Sequence, residues 1–465
     1  MTVPTTEITG AMLAKLRAEF AGSLLLPDDR AYDQARRVWN GMPDRRPSLI
    51  ARCTGASDVS AAVRFATGEG LPVTVRGGGH NVAGTAVDDD TVMIDLSPMR
   101  GVTVDPARAV ATAEGGCLLS DLDAATAPHG LACPAGVVSH TGLAGLTLGG
   151  GYGWLARKWG LTCDHLLAAE VVLADGSVVE ATGERHPELF WALHGGGGNF
   201  GIVTRFTLRL RPVGRIHHRT AVHSLADAPA ALAEYRAFAE KQSGDLHAVG
   251  AFKVAGDQEW IPRGLRGRPA LFLATVRLGD PGPGPAMSDP VSAGPAVVAD
   301  RVLSYPELQA LGDHGEPHGN RYFTKSCYLS ELGGGVAAEL VGAAREITSP
   351  LSSIDFEYLR GAIADVPDEE SAFPRRDAPY ICTASAQWTD PGADRAHEEW
   401  SRRTVQRLSP WQYGGAYVNY AQGEAAEKVV EVYGAARYDR LAAVKRIYDP
   451  GNLLSRNQNI RPSAP

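Results

Sequence analysis

His80 closes a run of three glycines in Arg76-Gly77-Gly78-Gly79-His80-Asn81. Glycine leaves its backbone N–H groups bare and tolerates φ > 0, so such a loop can wrap an anion such as a pyrophosphate. The imidazole then sits beside whatever carries the phosphates. Cys133, in Leu131-Ala132-Cys133-Pro134-Ala135-Gly136, is a second candidate, because no CxxC spacing gives it a zinc or disulfide role. Tyr417, in Tyr417-Val418-Asn419-Tyr420, is the first candidate for a general base. A free phenol titrates at about 10, so Tyr417 needs a neighbour such as Tyr420, or a cation, to act near neutrality. Glu357 is the other candidate base. Alternation along residues 353–359 puts Ile354, Phe356 and Tyr358 on one strand face, and Asp355, Glu357 and Leu359 on the other. Tyr152 and Trp154 could line the mouth of the same cavity.

These side chains depend on the elements that carry them. Leu71-Pro72-Val73-Thr74-Val75 reads as a buried strand feeding the His80 loop. Before it, Ser57 could cap a helix carrying Val59, Ala62, Val63 and Ala66, which gives a βαβ-like start. Residues 102–105 and 109–113 read as a hairpin, and residues 171–179 as a stronger one turning at Asp175-Gly176. Residues 1–45 read as helical and polar. Longer amphipathic helices such as residues 226–241 follow position 215, and residues 280–285 (Asp-Pro-Gly-Pro-Gly-Pro) read as an exposed loop. Residues 417–420 read as a strand and residues 441–448 as a helix stopped by Asp449-Pro450-Gly451-Asn452. On a strand, Tyr417 and Tyr420 would face opposite sides, so sharing a site requires a twist or a strand end.

Bulk properties narrow the class. A chain of 465 residues is too long for one ordinary core, so two domains are expected. It is 44% hydrophobic and 21% charged, as globular proteins are. A net charge of −8 argues against nucleic acid as a partner. No apolar run approaches the roughly 20 residues that span a bilayer. The opening residues show neither a basic nor an apolar signal region, and the six cysteines are sparse, so a reducing cytoplasm is expected. The five cysteines other than Cys133 read as core packing, and no metal site is expected.

Two further glycine series stand out. Residues 142–154 hold too many glycines for a good helix or strand interior, and Gly195-Gly196-Gly197-Gly198-Asn199-Phe200-Gly201 precedes the apolar Ile202-Val203. Neither gives a G-x-G-x-x-G between a strand and a helix, which disfavours a nicotinamide-binding domain. The ordered motifs are Arg-Gly-Gly-Gly-His80, Cys133-Pro-Ala-Gly, the long glycine segment, and Gly-Gly-Gly-Asn-Phe-Gly-Ile-Val-Thr204. The end adds Tyr417-Val418-Asn419-Tyr420, Tyr448-Asp449-Pro450-Gly451-Asn452 and Asn457-Gln458-Asn459-Ile460. This order resembles the berberine-bridge-enzyme-like FAD oxidases of vanillyl-alcohol-oxidase type, in their bacterial secondary-metabolite tailoring branch.

The resemblance implies an α+β fold in three parts. Residues 1–213 would form a PCMH-type FAD-binding domain, with its core over 45–213. Residues 214–405 would form a substrate domain of antiparallel sheet flanked by helices, and residues 406–465 would return to the FAD domain. It implies FAD bonded through its 8α-methyl to His80 and through C6 to Cys133. The cofactor would lie among Arg76, Gly77, Gly78, Gly79, Asn81, Gly136, Val137, Thr141, Gly142, Gly145, Gly149, Gly150, Tyr152, Gly153, Gly201, Ile202, Val203, Asn419 and Asn457. Two tethers suit a site too open for a lid, and they raise the flavin potential. About 30 mV upward favours a two-electron acceptance by about 1.4 kcal/mol. Hydride would pass to N5, the proton to Tyr417, and O2 would reoxidise the flavin to yield H2O2. The implied substrate is a bulky small molecule such as a glycoside alcohol, a polyketide or an alkaloid. Nucleic acid and membrane are not expected partners. The same fold also admits an oxygenase or oxidative cyclase with Glu357 as base, an oligosaccharide oxidase, or a non-catalytic flavin-bearing sequestration protein.

Overall fold

The computed structural model describes residues 8–279, 297–422 and 426–464. The 280–285 loop expected from sequence lies outside the described residues. The first sheet has four strands in the order Ser23–Leu25, Leu49–Arg52, Val92–Asp95 and Val73–Arg76. Its last three strands run parallel, as a helical crossover demands. That crossover is the helix Ala56–Gly68, whose Val59, Ala62, Val63 and Ala66 are fully buried. Its N-cap is Gly55 rather than the expected Ser57. The buried Asp58 carboxylate instead accepts from the backbone N–H groups of Ala21, Gly22 and Thr54. Among the described residues from 8 to 45, helix covers only Gly10–Ala18 and Tyr32–Ala35.

The second sheet is antiparallel and has five strands. It contains both expected hairpins, with Val102 opposite Ala113 and Val172 opposite Val178. Ile202–Arg209 lies at its centre, so the third glycine series delivers the chain into the middle of a sheet. The helix Ala435–Tyr448 returns here, and its Leu441, Ala442 and Val444 join the same core as Phe206 and Leu208.

Residues 216–388 supply every strand of a seven-stranded antiparallel sheet. Its three central strands are Pro269–Leu278, Leu246–Val254 and Ser353–Tyr358, with Tyr380–Trp388 next to the last of these. Helices Ala228–Ala239, Gly334–Arg345 and Asp394–Arg407 cover one face, packing Leu232, Leu340 and Trp400 against Phe252, Ile354 and Phe356. Truncating such a buried aromatic to alanine costs about 3–5 kcal/mol. The opposite face of the sheet is left for a cavity. Strand periodicity therefore decides the site, because every second residue must point into it.

Residues 417–420 do not form the expected strand. They enter a 3-10 turn over Val418–Tyr420. Residues three apart eclipse one another in that geometry. The rings of Tyr417 and Tyr420 accordingly meet edge to face with centroids 4.9 Å apart. No helix among the described residues is long and apolar enough to cross a membrane.

Candidate active site

A cavity of about 1130 Å³ joins the glycine loops to the open face of the large sheet. One wall is the His80 loop with Gly77, Gly78, Gly79 and Asn81, followed by Gly136, Val137, Thr141, Gly142 and Gly145. Gly201, Ile202, Val203, Asn419 and Asn457 continue it. The other wall carries Glu357 and Asp355, and Tyr152, Trp154, Tyr417 and Tyr420 also reach the space.

His80 is held from several sides. Its ring stacks on Trp39 at 4.2 Å and 15°, and Trp39 stacks in turn on Tyr322 at 3.7 Å. Its Nε2 lies 3.2 Å from His140 Nδ1. His318 presents a third ring, 5.1 Å from that of His140. Burial, and then the two neighbouring imidazoles, lower the His80 pKa to about 3. The ring is therefore neutral at physiological pH, with a nitrogen lone pair available for bonding.

The trough fits an extended cofactor such as FAD. A Cβ added to Gly145 or Gly198 would meet no protein atom within 4 Å, although both residues line the cavity. The space beside them is ligand space. Asn457 donates to Gly198 O at 3.0 Å, while its buried Oδ1 has no protein partner. An unpaired buried acceptor at a glycine cradle is what a ligand N–H or O–H would satisfy.

Several expected cofactor contacts fall elsewhere. Cys133 is fully buried and packs in the core with Leu131, Leu143 and Leu166. It is not part of the cavity wall. The preceding strand Leu131–Ala132 pairs with Arg211–Pro212 inside the domain, and the segment reaches the cavity only from Gly136 onward. Burial also pushes its pKa well up, which suppresses the nucleophilic thiolate. Arg76 likewise turns away from the cavity. Its guanidinium donates to Ala35 O and lies 3.9 Å from the buried Asp95. Gly149, Gly150 and Gly153 are also absent from the wall. A Cβ there would collide with Asn419, with the Phe373 ring and with Ala135 O, so these glycines permit close packing.

The opposite wall is rich in carboxyls. Glu357 lies on the cavity face of its strand, and its Oε2 is 2.9 Å from His247 Nε2. Burial pushes Glu357 up to about 8 and His247 down to about 3. The neutral pair is therefore favoured, with one proton between them. Burial likewise raises Glu316 to about 8 and raises Asp355. Lys253 faces Asp355 and is lowered by burial. Beside His247, Tyr152 Oη and Trp154 Nε1 are buried without protein partners. Tyr417 Oη accepts from Asn419 Nδ2 at 2.9 Å and from Gly151 N at 3.2 Å. Burial nonetheless raises its pKa far above neutrality. Sequence reading missed Trp39, His140, His247, Glu316 and His318. They converge from four separate stretches, and only His247, beside a strand of alternating burial, had a local signal.

Known proteins match this architecture. Residues 47–182 match the family described as "FAD binding domain", and residues 416–461 match "Berberine and berberine like". The (R)-6-hydroxynicotine oxidase of Paenarthrobacter nicotinovorans is 32% identical, over 95% of this chain and 97% of its own. The crystal structure of 6-hydroxy-D-nicotine oxidase from Arthrobacter nicotinovorans superposes with a TM-score of 0.81 at 30% identity, over 96% of this chain and 98% of that one. Glucooligosaccharide oxidase from Acremonium strictum shares the fold at a TM-score of 0.86 and 22% identity, over 98% and 100%. That enzyme is described with a 6-S-cysteinyl, 8α-N1-histidyl FAD.

Proposed function

The chain belongs to the berberine-like FAD-linked oxidoreductases, and from that premise we propose that it oxidises a bulky small molecule bearing a basic nitrogen, with dioxygen as final acceptor. Of the substrate classes the sequence leaves open, this is the alkaloid end. The observation that carries it is the composition of the cavity. Three carboxyls, Glu316, Asp355 and Glu357, line it, and of the three basic side chains there Arg456 is paired with Asp88 and Lys253 faces Asp355, which leaves Arg301. Each of the three is held above its ordinary pKa by burial, so a cationic ligand would gain most by ionising them. The hydroxynicotine specificity of the similar oxidase agrees with such a ligand.

FAD, held in the glycine trough and joined to His80, supplies two-electron acceptance. The remaining steps fall to side chains. Glu357 takes the substrate's N–H proton, because a base near 8 is closer to working pH than a buried phenol. His247 holds that carboxyl at 2.9 Å and shares the charge. Tyr417 accepts two N–H donors, so its own O–H is free to orient the substrate. Asn419 keeps Tyr417 in place. Residues 1–213 and 406–465 form the cofactor half in this assignment, and residues 214–405 the substrate half.

Acid precipitation followed by peptide mapping tests the cofactor assignment, with flavin expected on the His80 peptide alone. Peroxide release across cyclic amines, sugars and polyketide alcohols tests the substrate class. Turnover of oligosaccharides with no amine oxidised would refute the amine reading.

A further inference from the structure

The His80 ring has a partner that the oxidation chemistry does not use. His140 Nδ1 lies 3.2 Å from His80 Nε2, while Trp39 fixes the plane of the His80 ring. His80 lines the cavity and His140 reaches it from a separate loop, so the contact spans 60 positions of sequence. Two imidazoles that meet nitrogen to nitrogen can pass a proton between them, which packing alone does not require. The three imidazoles are not a metal site, because no group of three ligating side chains among the described residues could hold an ion.

We propose that His140 is the proton acceptor for covalent attachment of the flavin to His80. The inference rests on the reading that His80 carries the cofactor. With Nε2–H of His80 donating to His140 Nδ1, the Nδ1 lone pair of His80 is left for the flavin carbon. A bond forms between Nδ1 and the 8α carbon, and one C–H bond of that methyl group breaks. The Nε2 proton of His80 passes to His140, which keeps the linked ring neutral. The two electrons released enter the flavin and then dioxygen. In sum, imidazole, flavin methyl and O2 give the linked cofactor and H2O2.

His140 thereby does two things: it fixes the tautomer of His80, and it removes the proton that would otherwise leave a buried imidazolium. A general base of this kind typically accelerates a step by about 100-fold or more. Packing alone would not need an imidazole, and that difference makes the assignment testable.

The experiment compares wild type, His80→Ala and His140→Ala, each purified with FAD present and then precipitated with acid. Wild type should keep its flavin in the pellet, and His80→Ala should release all of it. His140→Ala should bind flavin but release most of it, and its remaining attachment in air should be slower by about 100-fold. Added imidazole should speed that attachment, which no purely structural role would allow. If His140→Ala is fully linked like wild type, or if imidazole leaves its rate unchanged, the proposal is overturned. Wild type releasing all its flavin would instead overturn the His80 linkage itself, a different and separable result. Should His140→Ala purify colourless, His140→Asn keeps a polar side chain at the position and is judged by the same criteria.

Discussion

Glu357→Gln separates the two candidate bases. The substitution keeps the size of the side chain and an oxygen beside His247 but removes titration. In the wild type the carboxyl is pushed up to about 8. It is then about one-tenth ionised at pH 7 and about nine-tenths at pH 9, by one unit on either side of its pKa. Amine turnover as kcat/KM should therefore rise about tenfold across that interval. Dividing the wild-type profile by that of Glu357→Gln cancels the titration of the substrate itself. The quotient should rise through about pH 8, and the variant should be slower by about 100-fold or more at pH 9. A stability signature accompanies it. The folded pKa is raised from 4.5 to about 8, so this group's contribution is fully present below 4.5 and lost as pH rises through 8. Glu357→Gln should thus gain melting temperature relative to wild type at pH 9 but not at pH 4. The gain should be on the order of 1–3 kcal/mol, since the carboxyl keeps some solvent contact. The assay is anaerobic flavin bleaching over the pH range, paired with thermal unfolding at the two extremes. A variant that retains the limb near 8, or a wild-type limb lying only near 10 or above, would refute Glu357 and return the role to Tyr417.

Three further outcomes follow from the same geometry. Cys133→Ala should leave the flavin absorption spectrum unchanged and cost only about 1 kcal/mol in chemical denaturation, because the thiol is core; a spectrum altered by the substitution would restore the sulfur tether at C6. Gly145→Leu should raise the stability of the flavin-free fold by about 0.5–1 kcal/mol, since Gly145 sits inside the helix Leu143–Leu148 with open space at its Cβ, yet abolish yellow colour by filling the trough. Arg376→Ala should destabilise by about 3–5 kcal/mol in thermal unfolding, because it strands the carboxylate of Asp164 that Arg376 meets at 2.7 Å beneath the Cys163 turn.

What was legible from sequence was local. The strand into the His80 loop, the hairpin at Asp175-Gly176 and the alternation over Ser353–Tyr358 each rest on neighbours a few residues apart. Most departures from that reading involve distant partners. Cys133 sits in a segment whose composition suits a flavin loop, but pairing with Arg211–Pro212 draws it into the core. The glycines at 149, 150 and 153 look like an anion cradle, yet Asn419, Phe373 and Ala135 decide what fits beside them. Tyr417 to Tyr420 has strand-like composition, and a 3-10 turn wins because Tyr420 N bonds back to Tyr417 O. The clustering of Trp39, His80, His140, His318 and Tyr322 could not be read from spacing at all.

The large sheet separates two kinds of inheritance. On its central strands, Asp355 and Glu357 look into the cavity while Ile354 and Phe356 pack on helices, and Thr383 and Ser385 repeat the pattern one strand over. Changing the inward row leaves the helix-facing row intact, so new substrates can be reached by single codon changes that carry little folding penalty. The glycine trough, built from other loops, need not change with them. A mutational library confined to the inward positions should therefore shift substrate preference while most of its members still fold and take up flavin.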